Sequence, residues 1–250
     1  MVTNKVDADV IPFRRVVPAG YQKATLSLTG LAPLLMNSGE ADRDSDTYRT
    51  YFNLGKVRGK TLEQEAQLRR LEWSLALYLD AELGPFIPSQ NLHEMLRQAA
   101  TKWKKGADIG RSLVVMEYRI PLVYDGPRTE EALWDGGFRD HRMVANGGIG
   151  RGRVVRCRPK FEAWSLEATL AFDPEDLDFD LLQMVVDRTE KYGLGDYRTG
   201  GFGAFAAVLS DAEEHNGAVN TNGAGTKAKH PSEQAAHGAR VKRIVKEASA

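Results

Sequence analysis

The chain predicts an α+β fold in the order strand, helix, strand, strand, helix, strand: the ferredoxin-like (RRM-like) βαββαβ plan, with insertions and a disordered C-terminal tail. Three observations predict it. Apolar and β-branched runs with strand character recur at residues 23–31, 112–124, 151–172 and 204–209. Apolar residues at helical spacing fill the gap after the first run and the gap before the last. From Asp211 on, Asn, Gly, Ala, Lys and Ser take over and no apolar period holds. Such a segment buries too little surface to offset its ordering entropy. The domain is therefore placed at residues 1–210 and the tail at 211–250. The tail's last stretch, with Arg240, Lys242, Arg243 and Lys246, suits a short helix formed on a partner.

Bulk composition narrows the function classes. A length of 250 residues allows one large domain or two small ones. Apolar residues at 42% and charged residues at 27% fit a soluble globular protein. No apolar run approaches the roughly 18 residues of a membrane span, so no membrane partner is expected. Met1–Val10 is polar and does not read as a secretory signal. Cys157 is the single cysteine, which excludes an internal disulfide and a Cys-cluster metal site. A reducing, cytoplasmic location follows as the expectation. The formal net charge of zero argues against a uniformly basic nucleic-acid binder and leaves local patches open.

Taken in order, residues 1–20 carry charges, prolines and no period, and read as an arm that orders on contact. Lys23–Leu31 alternates as the first strand, and Pro33-Leu34-Leu35-Met36 ends its pairing. Residues 37–60 form a long polar loop. Its Asp42, Asp44 and Asp46 are spaced for a divalent cation but lack the glycine and terminal glutamate of a calcium loop. They read as solvated, and neither metal nor cofactor is assigned. Thr61 to Asp80 is a helix opened by a Thr61/Gln64 capping box, with Leu68, Leu71, Leu75 and Leu79 as its buried face. Gly84-Pro85 breaks it. Ser89 caps a second helix, Gln90 to Lys105, striped by Leu92, Met95, Leu96 and Ala99. Arg97, Lys102, Lys104 and Lys105 make its later half basic around Trp103. Such a cluster suits a nucleic-acid strand, and it equally complements the C-terminal end of a helix dipole.

Residues 112–124 form the next strand, and residues 125–150 a loop-like insertion holding Arg139, His141 and Arg142. The most basic window follows: Arg151, Arg153, Arg156, Arg158 and Lys160, with no acid. The alternation Arg156-Cys157-Arg158 gives a strand one cationic face. A solvated face usually mixes signs, so this one favours a polyanion. Residues 163–172 continue or pair with it. Asp173-Pro174 opens a helix running to about Lys191, buried through Leu177, Leu181, Met184, Val185 and Thr189 and stopped by Gly193. Residues 204–209 are the last strand.

The join between that helix and that strand, Tyr192 to Phe205, holds five glycines, Arg198, and the aromatics Tyr197, Phe202 and Phe205. Glycines there permit positive φ and close backbone approach. Successive N–H groups can form an anion-binding nest, and Arg198 adds a planar fork that suits phosphate. A turn that only lets helix and strand pack is the other reading. The nucleic-acid-binding candidates are thus Arg97, Lys102, Lys104, Lys105, Arg151, Arg153, Arg156, Arg158, Gly195, Tyr197, Arg198, Gly201, Phe202 and Gly203.

Leu194-Gly195-Asp196-Tyr197-Arg198-Thr199-Gly200-Gly201-Phe202-Gly203 resembles the C-terminal glycine-rich loop of the CRISPR-associated RAMP superfamily, a G-x-G run followed by basic residues and G-F-G. Gly193, Gly195, Arg198, Gly201, Phe202 and Gly203 match. Phe86 to Arg97 is similar to an I-P-G-S-S-L run that opens a helix in type III backbone subunits. Ile87, Pro88, Leu92, Leu96 and Arg97 fit, while Ser89, Gln90 and Asn91 replace the glycine and serine pair. The resemblance spans residues 23–209 in plan. It implies a non-catalytic backbone-type subunit that binds single-stranded guide RNA in an antiviral ribonucleoprotein, with copies of itself or other subunits as partners. Residues 125–150 would be its thumb-like insertion. Some type III members cleave target RNA with an aspartate in the loop after the first strand. Asp42, Asp44 and Asp46 are candidates by position only, and none is assigned.

Two other functions stay open on the same residues. A RAMP-type endoribonuclease would need a general acid or base, usually His. Outside the tail the chain offers His93, on a helix, and His141, in the insertion. A phage or mobile-element protein binding single-stranded DNA would use the same loop and arginines.

Overall fold

The protein is described by a computed structural model covering residues 14–39, 42–145 and 153–211. Its first strand, β1 (Gln22–Gly30), alternates as the sequence dictates. Ala24, Leu26 and Leu28 are fully buried, and Thr25, Ser27 and Thr29 face the other way. A two-residue strand, β2 (Leu34–Leu35), follows. The polar segment after it is not all loop. It contains helix α1 (Asp46–Lys56), capped by Ser45, whose Oγ accepts from the Tyr48 N–H, with Asp46 in the first turn and Lys56 in the last. None of its residues is buried.

Helix α2 (Leu62–Ala76) starts with the expected capping box, Thr61 and Gln64 each accepting from the other's backbone N–H. It ends before the expected Asp80, and its buried face is Glu72, Trp73 and Ala76; Leu68, Leu71, Leu75 and Leu79 are only partly covered. Trp73 decides this. Its ring is fully buried and its indole N–H donates to the Phe138 carbonyl at 2.8 Å, which turns the helix past its leucines. Strands β3 (Leu79–Asp80) and β4 (Gly84–Pro88) form a hairpin where the sequence suggested only a break.

Helix α3 (Ser89–Ala100) begins without a side-chain cap. Ser89 lies inside the helix, and its Oγ accepts from Arg15 of the N-terminal arm at 3.2 Å. The helix stops at Ala100 rather than Lys105. A tight turn follows, with Lys104 in a left-handed conformation (φ 59°), and then helix α4 (Gly106–Ser112), which the sequence did not suggest.

The expected strand at 112–124 is two strands in two sheets. β5 (Leu113–Val115) pairs with β9 (Ser165–Phe172), while β6 (Arg119–Pro121) pairs with β4. The break has a cause at Glu117, which is only 2% exposed. Its Oε2 accepts from the Thr169 N–H at 2.9 Å, taking the place of a strand carbonyl, and its Oε1 accepts from Arg14 at 3.1 Å.

The described part of the insertion contains helix α5 (Glu130–Asp135) and strand β7 (Arg139–Ala145), which pairs antiparallel with β8 (Arg153–Phe161). The last helix, α6 (Phe179–Thr189), is capped by Asp178 and not by Asp173. Asp173 instead accepts from the Glu175 N–H and closes a turn. Leu182, Val185, Val186 and Thr189 are buried along α6, whereas Met184 is 46% exposed. Strand β10 (Phe205–Asp211) closes the fold, so the expected tail beyond it lies outside the described residues.

The central sheet has the order β10-β1-β9-β5, antiparallel throughout. Two further three-stranded sheets, β2-β8-β7 and β3-β4-β6, flank it. Helix α3 packs on α6, and α6 on β10, over one continuous core that includes Leu26, Leu28, Leu92, Leu96, Phe172 and Phe205. Cross-strand partners Thr25, Thr169 and Ser210, with Ser27, Glu167 and Val208, make the opposite face of the sheet. That face carries no aromatic among these positions.

Candidate nucleic-acid interface

The glycine loop is built by close backbone contact. Gly193, Gly195, Gly201 and Gly203 have φ between 67° and 87°, and Tyr197 joins them at 53°. A Cβ at Gly195 would meet the Leu35 carbonyl, and one at Gly203 would meet the carbonyl of Leu194. The close approach is needed because the loop is hydrogen-bonded to the segment after β1. Asp196 N–H donates to Leu35 O, Gly203 N–H to Pro33 O and Leu194 N–H to Gly203 O, each at 2.8 Å. Tyr197 N–H donates to its neighbour's carboxylate, and the N–H groups of Gly200 and Gly201 donate within the loop. Most of the amides that would form an anion nest are therefore engaged internally. What the loop offers outward is side chains.

Those side chains meet the β7–β8 hairpin. Arg142 of β7 places its guanidinium 4.6 Å from the Tyr197 ring centre and 4.0 Å from that of Phe202, within cation–π range of both. Asp140 accepts from it at 2.6 Å and sets its direction. Sequence reasoning placed Arg142 in an insertion and assigned it nothing. The signal was present: Asp140-His141-Arg142 alternates like a strand, and its partner is the arginine window. Arg198 is exposed, and no carboxylate pairs with it among the described residues.

The arginine strand has a different surrounding from the one expected. Arg156 and Arg158 do share a face, and Arg142 lies directly opposite Arg156. Like charges in that position repel. The compensation comes from Glu72 of α2, whose Oε1 accepts from Arg156 at 2.9 Å and Arg158 at 3.1 Å. Its Oε2 accepts from the Cys157 N–H at 3.0 Å. Arg158 also donates to Asp196 at 3.2 Å, which ties the strand to the glycine loop. For Arg156, burial is the largest single effect and works against the cation, but the hydrogen bond and charge of Glu72 together with Tyr51 outweigh it and the net shift is upward. Two arginines of the window that contains no acid thus share one carboxylate, 84 residues before Arg156 in the sequence. Arg153 is exposed at the start of β8, and Arg151 lies outside the described residues.

The basic end of α3 does not join this surface. Arg97 makes a two-pronged pair with Glu94, both bonds at 2.7 Å, and Lys105 pairs with Asp108 at 2.8 Å. Lys102 lies over Trp103. Helix α3 instead turns Asn91, Glu94, Met95 and Gln98 towards the loop, where they help line a cleft of about 260 Å³ with Asn37, Asp196 and Arg198. Hydrogen bonds from Arg97 and Gln98 hold the Glu94 carboxyl down to about 2. A second hollow of about 190 Å³, lined by Tyr48, Tyr51, Glu72, Arg156 and Arg158, shares Asn37 with the first.

His141 has little to work with as a general acid or base. Its Nε2 lies 3.8 Å from the buried Cys157 Sγ, and burial, then Arg139 and Arg69, push its pKa down. Burial, then Glu72, push the Cys157 thiol up to about 12, which holds it in the protonated form at neutral pH. His93 sits half-covered on α3. Asp42 accepts from the Asp44 N–H in a turn before α1, and Asp46 is in the first turn of that helix. Among the described residues, no three His, Cys, Asp or Glu side chains are grouped to hold a metal ion. No helix among them is long and apolar enough to cross a membrane.

No protein-family model matches this chain, and no curated protein matches it. Among solved structures it is similar to a chain in the cryo-EM structure of a type III-B Cmr-β complex bound to cognate target RNA. The TM-score is 0.47 at 11% identity, over 77% of this chain and 62% of that one. The present chain thus matches less than two thirds of that chain's length.

Proposed function

We propose that this protein is an RNA-binding subunit of RAMP type, holding single-stranded guide RNA in a CRISPR-like ribonucleoprotein alongside copies of itself or other subunits. The four-stranded sheet with α3 and α6 is its ferredoxin-like unit, within a domain of residues 1–210. The observation that carries the reading is the surface where the glycine loop meets the β7–β8 hairpin, with Arg142 in cation–π range of Tyr197 and Phe202, and Arg198 exposed on the same loop with no carboxylate partner among the described residues. A free cation and an exposed ring, here Arg198 and Tyr197, bind a single strand through phosphates and stacked bases. The sheet face opposite the helices, lined by Thr25, Ser27, Glu167 and Thr169, offers no ring, so bases stack at the loop rather than on the sheet as they do in RRMs.

Of the site candidates, Arg198, Tyr197 and Phe202 touch RNA directly, Gly195, Gly201 and Gly203 shape the loop, and Arg156 and Arg158 support it through Glu72 and Asp196. Arg153 extends the surface along the hairpin, and Arg151 belongs to the same basic window of the sequence but lies outside the described residues. Arg97, Lys102, Lys104 and Lys105 form a separate basic patch.

The test is the nucleic acid that co-purifies with the protein at moderate salt, digested separately with RNase and DNase. A uniform RNA supports the reading. Co-purified DNA moves the assignment to single-strand DNA binding. Arg198→Glu should abolish retention, and retention unchanged by Arg198→Glu and Arg142→Glu together rejects this surface.

A further inference from the structure

The cleft beside the glycine loop differs in chemistry from the cationic surface next to it. Its polar walls are amides and carboxylates: Asn37, Asn91, Gln98, Glu94 and Asp196, with Arg198 as its cation. The side-chain amides of Asn37 and Asn91 have no hydrogen-bond partner among the described residues. Glu94 takes three donors, two from Arg97 and one from Gln98, and Asp196 takes two, from Arg158 and the Tyr197 N–H. A carboxylate has about four acceptor positions, so both can still receive a hydrogen bond.

Two carboxylates facing one cleft repel a phosphate. They accept from N–H donors, and open amides supply donors and acceptors together. The apolar side chains of Met95 and Leu194 complete the wall, suiting the face of a flat ring. A volume of about 260 Å³ falls below the roughly 300 Å³ at which drug-sized pockets begin, and fits a single base.

We infer that this cleft receives one unstacked nucleobase bearing an exocyclic amino group, so that among pyrimidines it takes cytosine and rejects uracil. The inference rests on the RNA-binding reading and adds base selectivity to it. Cytosine presents its 4-amino group to the carboxylates, the pairing by which Glu and Asp read cytosine elsewhere. Uracil presents a carbonyl oxygen there, which a carboxylate repels. Arg198 holds the phosphate next to the inserted base.

The test compares fluorescein-labelled C12 and U12 RNA by anisotropy at fixed salt. The two strands have the same phosphates, so their difference reports the base alone. The protein should bind C12 about tenfold more tightly than U12. Asn91→Ala and Glu94→Gln should each bring the C12-to-U12 affinity ratio to within about twofold, whatever happens to the affinity common to both strands. Equal affinities in the unaltered protein overturn the cleft assignment and leave the RNA-binding reading standing. So does a cytosine preference that survives both substitutions. Binding of neither strand at any salt overturns both.

Discussion

At the scale of single residues, the loop's glycines are not equivalent. Gly201 and Gly203 both have positive φ, at 87° and 67°. A Cβ on Gly201 meets nothing within 4 Å, whereas one on Gly203 lands on the Leu194 carbonyl. Gly201→Ala should therefore cost only the left-handed penalty, about 1–2 kcal/mol. Gly203→Ala should cost about 3 kcal/mol or more, because a main-chain contact must also yield. Urea unfolding of the two variants checks the order, and equal losses would refute the contact argument. Glu94 gives a pH prediction at the same scale. Arg97 and Gln98 hold its carboxyl near 2 against an ordinary 4.5. The stability it contributes is full above pH 4.5 and fades as pH falls towards 2. With the side chain 42% exposed, the effect is modest. Urea midpoints between pH 5 and 2, measured on a Glu94→Gln variant, should fall less steeply than those of the unaltered protein.

At the scale of elements, Glu72 joins α2 to the hairpin. Its side chain is 9% exposed and serves two guanidinium groups and a backbone N–H. Glu72→Gln keeps the shape and removes the charge. It should cost about 3 kcal/mol, the lower end for a broken buried pair because Arg156 reaches solvent. Chemical denaturation measures this, and a loss under about 0.5 kcal/mol would mean the arginines are satisfied by water. The same residue marks where sequence reading reaches its limit. A capping box and the alternation of β1 are local, and both were legible. The partner of Arg156 lies 84 residues away, so the window looked unpaired when its neutralising acid was merely distant. Likewise, the leucine period of α2 gave a face, but one buried tryptophan hydrogen bond fixed the rotation. Helix α1 was missed although Ser45, Asp46 and Lys56 mark its ends and Tyr48, Tyr51 and Phe52 share one face, because the polar run around these rings read as loop.

At the scale of the whole molecule, the helix and strand periods made the mixed α+β character legible, β8 included, while the pairing of strands into two flanking sheets was not. Strands of two, three and five residues carry too little pattern, and the turn at Glu117 depends on contacts with Thr169 and Arg14. The candidate site shows the same division. The glycine loop could be read locally, but its pairing with Arg142 required the hairpin to fold back. This division predicts which cations govern affinity. For single strands, log K falls against log salt by about 0.7 for each phosphate neutralised. Only a cation not already held by a carboxylate should carry a full share. Arg198→Gln should flatten the slope by about 0.7, because no carboxylate pairs with it among the described residues. Lys105→Gln should leave the slope unchanged, since Asp108 holds that ammonium at 2.8 Å, away from the glycine loop. Salt titrations of U12 RNA from 50 to 300 mM on both variants measure the two slopes. An equal change in both would mean that binding follows overall charge, and that the loop and hairpin do not form a defined track for RNA.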